Sequence, residues 1–511
     1  MTLLSTLLFP LPRLARLRTA WLPAALLTMA AAQAQDKPAC RYLQVAKLPL
    51  HYRGPSLDIT MDGTIDGTPA VMLADTGSSD TWLTRTATEK RGLRLRPSAH
   101  RIRGVGGMSA TYTTRIDDFS AGPAKSSRGW VQVVGDTGTA PAFDAIVGAP
   151  YLLQTDMELS LADKEIRFFR PLGCEKSWLA YWASDAVVIP FEENSSGRRA
   201  ENPRFTIEVN GQKMLAIIDS GASRTAIDAH AAERAGIRLD GAGVTSDGHS
   251  AGIGERRIAN WRAHIATVKI GGEIVRDADI ALMDTKGQLD VDVLLGADFL
   301  RAHRVLFAMG QRRIYLTYLG GDVFGNPAGI PPWLRQEAEA GNPDAQLALS
   351  QRYRAGQGVA RDPALAAAWL DKAAAQGHPQ ADILRARGLM TEGRYAEAAA
   401  RLKPALDRLP AERYGALWLY LARLRTGEQE NGRRELDATF ARNSDDAWPK
   451  PIAEHYLGRL DAAALLAAAR RDGERAAVQT CLAERYLAAL QAARQGTVAP
   501  AAQGDCEPAK P

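Results

Sequence analysis

The chain has 511 residues, 46% of them hydrophobic and 24% charged, the balance of an ordinary soluble globular protein with room for roughly two to four domains. Cores of that size need neither a metal nor a dense disulfide framework to fold. The formal net charge of +5 includes three arginines and no acid in the first 34 residues, so the rest carries +2, too near neutral to leave an electrostatic footprint for nucleic acid.

In chain order, Arg13, Arg16 and Arg18 precede the apolar run "AWLPAALLTMAAA", which ends at Ala32-Gln33-Ala34. Positive charge, a short apolar stretch and an A-x-A site predict a secretory signal peptide over residues 1–34, cut after Ala34. The other reading is a membrane anchor, but the run falls short of the ~20 residues of a spanning helix. The mature chain is therefore expected in the periplasm or outside a bacterial cell, without a stable membrane span. No long pro-segment is expected between Ala34 and the first strand. Cys40, Cys174, Cys481 and Cys506 all follow the cut, and an even count in an exported chain predicts disulfides. Sequence leaves the connectivity open. Cys40–Cys174 and Cys481–Cys506 are favoured, because each pair brackets or lies within one proposed domain. With no C-x-x-C pair and no H-E-x-x-H helix, no metal or other cofactor is expected.

A repeat organises the next 270 or so residues. Displaced by 144 positions, Asp75 falls on Asp219, Gly77 on Gly221, and Gly67 in "TIDGTP" on Gly211 in "EVNGQK"; "EKRGLRL" from Glu89 falls on "ERAGIRL" from Glu233. A third Asp-Thr-Gly, at Asp136, lies outside this register. A shift of 148 lays "RGWVQVVGD" on "RDADIALMD" and Asp136 on Asp284, so Asp136 reads as a turn after a strand.

Each half then has one outline. A strand enters an Asp-Gly or Asn-Gly hairpin turn. A buried strand ("AVMLA", "LAII") runs to the Asp and a short helix follows. A glycine-rich hairpin tip comes next, "GVGG" from Gly104 or "AGIG" from Ala251. Further strands lead to Ile146-Val147-Gly148 or Leu294-Leu295-Gly296, and "EIRFF" or "RRIYLTY" closes the half.

From Leu43 to Leu319 these residues resemble the pepsin/retropepsin superfamily of aspartic proteases. The resemblance rests on two D-[TS]-G turns, each with its later apolar-apolar-Gly, "DVLLGADFL" being similar to the retroviral-type signature. It implies a mainly β bilobal aspartic-protease fold, two lobes related by a pseudo-twofold axis, over residues 35–180 and 181–320. It implies Asp75 and Asp219 as a catalytic pair that shares one proton and activates a water. Thr76, Gly77, Ser78, Ser220 and Gly221 would build the active-site loops, the two hydroxyls locking them across the axis. Ile146, Val147, Gly148, Leu294, Leu295 and Gly296 would pack beneath. Gly104, Gly106, Gly107, Gly252 and Gly254 would form two flaps, with Tyr112 either a flap aromatic or a core tyrosine. Ser78 against Ala222 suggests an asymmetry, the Ser78 hydroxyl donating to Asp75 and favouring its ionised form. Both lobes lie in one chain, so dimerisation is not needed to pair the aspartates.

After "GGDVFGNPAGIPPW", a linker over 321–335, Ala, Leu, Arg and Glu dominate. "GNPDAQ" at Gly341 returns as "GHPQAD" at Gly377, a period of 36. With "EGRYAEAAARLKPAL" this resembles Sel1 and tetratricopeptide repeats, which implies an all-α Sel1/TPR-like solenoid over residues 336–496 and a flexible tail over 497–511. The solenoid reads as a docking surface for a protein or peptide, or as a structural appendage of the lobes. The leading expectation is an exported aspartic endopeptidase acting on protein or peptide. The alternative is a non-catalytic periplasmic peptide-binding scaffold with the same fold.

Overall fold

The computed structural model describes residues 39–122, 124–135, 141–192, 202–250, 252–253, 258–287, 289–325, 329–441, 448–471, 475–497 and 506. The expected signal peptide, the turn at Asp136, Gly254 and most of the tail lie outside the described residues.

Two sheets follow one plan. In the first the strands lie in the order His51–Arg53, Asp58–Ile65, Thr68–Asp75, Ala145–Gly148, Trp82–Thr84, Ala124–Val134, Gly107–Ala121 and Arg96–Gly104. In the second the order is Phe205–Val209, Gln212–Ile218, Val293–Leu295, Ala226–Asp228, Glu273–Met283, Ile258–Ile270 and Val244–Ser250. Apart from the extra His51–Arg53 edge, the orders coincide strand for strand. So does a closing contact: Asp58–Ile65 also pairs with Gly107–Ala121, and Phe205–Val209 with Ile258–Ile270.

Local chemistry explains the shared plan. Asp66 and Gly67 both have positive φ, as do Asn210 and Gly211, the geometry of the two-residue turn that Asp-Gly and Asn-Gly favour. The strands that follow, Thr68–Asp75 and Gln212–Ile218, have neighbours on both edges and end buried. After each aspartate a short strand turns into a helix. Thr84 caps Arg85–Lys90 by accepting the Ala87 N–H, and Asp228 caps Ala229–Arg234 by accepting that of His230.

A six-stranded sheet joins the halves, in the order Arg41–Pro49, Glu165–Leu172, Asp156–Ser160, His303–Ala308, Arg313–Tyr318, Val187–Pro190. Three strands come from each half. The central pair, Met157↔Phe307 to Ser160↔Arg304, is where the halves meet. One face carries Met157, Leu159, Val305 and Phe307 into the main core. On the other, Glu158 is 1% exposed and accepts Arg304 Nε at 2.9 Å, Arg167 Nη1 at 2.6 Å and the Tyr181 hydroxyl at 2.8 Å. A disulfide, Cys40–Cys174, closes the end of the sheet where Arg41 pairs Leu172.

From Pro332 the chain is helical, with ten helices among the described residues between Pro332–Glu339 and Ala476–Gln495. The expected linker therefore ends inside the first helix. The 36-residue period is a helix-start device. Gly341 and Gly377 have positive φ, Asn342 and His378 cap with their side chains, and Pro343 and Pro379 open the helices. These helices are continuous with the β region: Leu334, Ala338, Ala345, Ala348 and Leu349 belong to the same core as Ile59, Met61 and Leu161. Asp344 accepts the Gly54 N–H at 2.6 Å, and Arg301 lies 3.7 Å from the Trp333 ring. The second disulfide is Cys481–Cys506.

Glu158→Ala removes the buried acid that Arg304 and Arg167 share, leaving them only the more exposed Glu165 and Asp163. Breaking one side of a buried ionic cluster costs about 3 kcal/mol, so the denaturant midpoint is expected to fall accordingly. An unchanged midpoint contradicts this role for Glu158.

Candidate active site

Asp75 and Asp219 sit at the ends of equivalent strands, where each chain leaves its sheet toward the other. Gly77 and Ser78 N–H both donate to Asp75 Oδ1 at 2.9 Å; Gly221 and Ala222 N–H donate to Asp219 Oδ1 at 2.9 and 3.1 Å. The two loops are bolted by their middle residues. Thr76 N–H donates to Ser220 Oγ at 3.0 Å, and Ser220 N–H to Thr76 Oγ1 at 3.1 Å. Each hydroxyl donates onward to the backbone of the other half, Thr76 to Ile218 O and Ser220 to Ala74 O, both at 2.6 Å. Thr76 is 0% and Ser220 3% exposed, so no water competes for these bonds.

The glycines are required by this approach. A Cβ on Gly77 would overlap the carboxyl carbon of Asp219, and one on Gly221 that of Asp75. The two carboxyls are thereby brought close enough to act on each other electrostatically. Burial pushes both above the usual carboxylate range, and the charge of Asp219 raises Asp75 further. A pair so placed holds one proton between its members and titrates as a unit.

The expected asymmetry from Ser78 does not arise. Its hydroxyl donates to Asp80 O at 2.8 Å. What reaches Asp75 is its backbone N–H, as the Ala222 N–H reaches Asp219, so the two carboxyls have matching donors.

The apolar-apolar-Gly segments lie directly beside the loops. Ile146, Val147 and Gly148 run parallel to Leu73, Ala74 and Asp75; Leu294 and Leu295 run parallel to Ile217 and Ile218. Gly148 and Gly296 are pressed against the backbone of Asp80 and Arg224, with no room for a Cβ. Residues that sequence reading passed over complete this support. Thr81 Oγ1 accepts the Gly148 N–H at 3.2 Å and Thr225 Oγ1 that of Gly296 at 3.0 Å; the two threonines are 144 apart, the offset already in use. Asp144 and Asp292 accept the Val71 and Leu215 N–H groups and pair with Arg91 and Arg234. That acid, two residues before each apolar-apolar-Gly, was a readable signal. Asn202 donates to Thr76 O, and no repeat marks it.

The two hairpin tips meet. Gly106 N–H donates to Ile253 O at 2.9 Å, and Gly104 and Gly252 pack against Ile253 and Val105 so tightly that neither has room for a Cβ. Each tip hands an apolar side chain to the opposite half: Ile253 packs with Leu73, Trp82, Val134 and Ile146, and Val105 with Ile217, Met283 and Leu294. Gly107, with φ of +94°, turns the first tip. Tyr112 lies away from the tip, pairing Pro97 and Val133 and packing on the main core. Among the described residues no group of three or more His, Cys, Asp or Glu is placed to hold a metal ion, and no helix is long and apolar enough to cross a membrane.

Such a site defines a class: paired, proton-sharing carboxyls under two hairpins. Comparison with known proteins finds likeness to aspartyl proteases over two stretches. Residues 61–149 match the family described as "Aspartyl protease", and residues 205–302 the family described as "gag-polyprotein putative aspartyl protease". The DNA damage-inducible protein 1 of Phaeosphaeria nodorum is 40% identical over 123 residues, 22% of this chain and 26% of that protein. Protein DDI1 homolog 1 of Homo sapiens is 32% identical over 129 residues, 24% and 30% of the two chains. The UBA domain-containing protein Mud1 of Schizosaccharomyces pombe is 34% identical over 100 residues, 19% and 28%. The matched stretch spans about a quarter of the length of these relatives. Over these two stretches the β region is thus similar to aspartyl proteases.

Raised carboxyl pKa values oppose folding once the unfolded chain ionises. Protons stay on the folded dyad while the unfolded chain releases them, so stability falls as pH climbs from about 4 through the folded values. Asp75→Asn removes that penalty. The variant is expected to melt higher than the parent at pH 7 and to converge with it at pH 3, read by calorimetry at both pH values. A variant that melts lower at pH 7 contradicts the pairing.

Proposed function

We propose that this chain is an exported aspartic endopeptidase that hydrolyses peptide bonds with a water held between Asp75 and Asp219. The observation that carries the reading is two carboxyls, each fixed by two backbone N–H groups and each pressed against the glycine of the other loop.

In this reading the sheets are two lobes related by a pseudo-twofold axis, and substrate lies across the axis under the hairpins. The ionised carboxyl takes a proton from the water as its oxygen attacks the scissile carbonyl carbon. The protonated carboxyl donates to the carbonyl oxygen as charge develops there. The tetrahedral diol then collapses: the C–N bond breaks, the proton taken from water passes to the leaving amine, and a diol hydroxyl returns its proton to the other carboxylate as the new carbonyl forms. No covalent intermediate and no metal enters. The apolar groups now filled by Val105 and Ile253 would receive substrate side chains when the tips withdraw, and tip closure would exclude bulk water. For Gly254, which lies outside the described residues, a place in the second flap remains part of this reading.

Export is supported by the A-x-A site after an arginine-flanked apolar run and by four cysteines joined in two disulfides. The destination we propose is the periplasm or the exterior of a bacterial cell. For the helices we propose a Sel1/tetratricopeptide-like array that recruits substrate or partner protein. Its first helices share the protease core, which would hold a bound chain at a fixed distance from the cleft.

The test is cleavage of an unfolded protein at mildly acid pH by the mature chain, followed by mass spectrometry. Asp75→Asn and Asp219→Asn should each lower kcat/KM about 10³-fold or more, and a statine-type inhibitor should block cleavage. Peptide binding without cleavage, unaltered in both variants, would instead make the chain a scaffold.

A further inference from the structure

The two hairpins over the dyad are joined to it differently. Register gives the equivalences. In the first half Tyr112 pairs with Pro97 and Val133, and the outer strand slips register before Arg101. In the second Trp261 pairs with Ser246 and Leu282, and the outer strand slips before His249. Ser98 and Asp247 therefore occupy the same bulge position. Thr113 and Arg262 are equivalent on the inner strand. Asp80 and Arg224 each stand five residues past a dyad aspartate.

In the second half these positions form one ionic cluster. Arg224 Nη1 donates to Asp247 Oδ2 at 2.6 Å, and Arg262 Nη2 to the same oxygen at 2.9 Å. The side chains are 32%, 27% and 21% exposed for Arg224, Asp247 and Arg262, so solvent screens the cluster only in part. Gly248, with φ of +73°, makes the bulge. The outer strand of the second hairpin is thereby tied to the loop that carries Asp219.

None of these charges recurs in the first half. Ser98 Oγ accepts the His100 N–H at 3.1 Å and stays within its own strand. Asp80 Oδ1 accepts the Thr81 N–H at 2.7 Å and makes no ion pair among the described residues. Arg85 approaches the Tyr112 hydroxyl at 3.5 Å, but on the inner strand and from the helix beyond the loop. The outer strand Arg96–Gly104 has no charged link to the Asp75 loop among the described residues.

We infer that Arg224 and Asp247 are positioning residues that strap the second hairpin to its catalytic loop, so that the first hairpin is the one that lifts to admit substrate. Lifting breaks the Gly106–Ile253 bond and withdraws Val105 from the second-half cluster, while the second hairpin stays as a fixed wall. What the opening serves rests on the proteolytic reading; the asymmetry itself does not.

Hydrogen exchange of the full chain, read by mass spectrometry without substrate, tests it. The strand Arg96–Gly104 is expected to exchange about 10-fold faster than Val244–Ser250. Asp247→Asn and Arg224→Gln should each bring the second strand toward the rate of the first and leave Glu165–Leu172 unchanged. Asp247→Glu, which keeps the charge, should restore protection. Equal exchange of the two hairpins in the unaltered chain overturns the inference, as does a second hairpin that neither variant loosens. A chain that does not cleave but keeps the asymmetry removes the enzyme and leaves the strap; an active chain with equal hairpins does the reverse.

Discussion

Two buried hydroxyls hold the centre of this molecule together. Thr76 and Ser220 exchange backbone N–H bonds and then donate into each other's half, at Ile218 and Ala74. Four bonds in a water-free space fix the separation of the two loops. That separation sets everything above it: glycine faces carboxyl on both sides, and the charge of Asp219 is felt at Asp75. Two acids in such a place cannot both ionise without strong repulsion, so burial and proximity together create a group that donates and accepts at once.

The rest of the fold keeps those loops in register. The six-stranded sheet joins strands of both halves at its middle, and Glu158 gathers arginines from both halves beneath it. Beside the loops, Thr81 with Gly148 and Thr225 with Gly296 fix the parallel segments. The helices extend this core rather than hanging from it, through Leu334, Ala338 and the Asp344–Gly54 bond. Among the described residues the hairpins meet at their tips above this base.

Much of this was legible in the residues because it repeats. The Asp-Gly and Asn-Gly turns, the aspartates and the apolar-apolar-Gly segments keep nearly constant spacing, and the backbone follows that spacing strand for strand. The helix starts at Pro343 and Pro379 were legible for the same reason. What escaped was side-chain direction and whatever does not repeat. The Ser78 hydroxyl turns to Asp80 O, while its N–H serves Asp75. The Arg224–Asp247–Arg262 cluster depends on a bulge that a one-dimensional reading does not reveal. Asn202 reaches Thr76 from 126 residues away, and nothing in its neighbours announces it.

The claim at the centre is that Asp75 and Asp219 are one titrating unit. Carbon-13 labelling of the aspartate carboxyls, with a pH titration of the protein by nuclear magnetic resonance, tests it most directly. Two resonances, identified by their loss in single Asn variants, should move together, with one proton retained well above the ordinary carboxylate range. Two carboxyls that titrate independently near pH 4 would contradict the account.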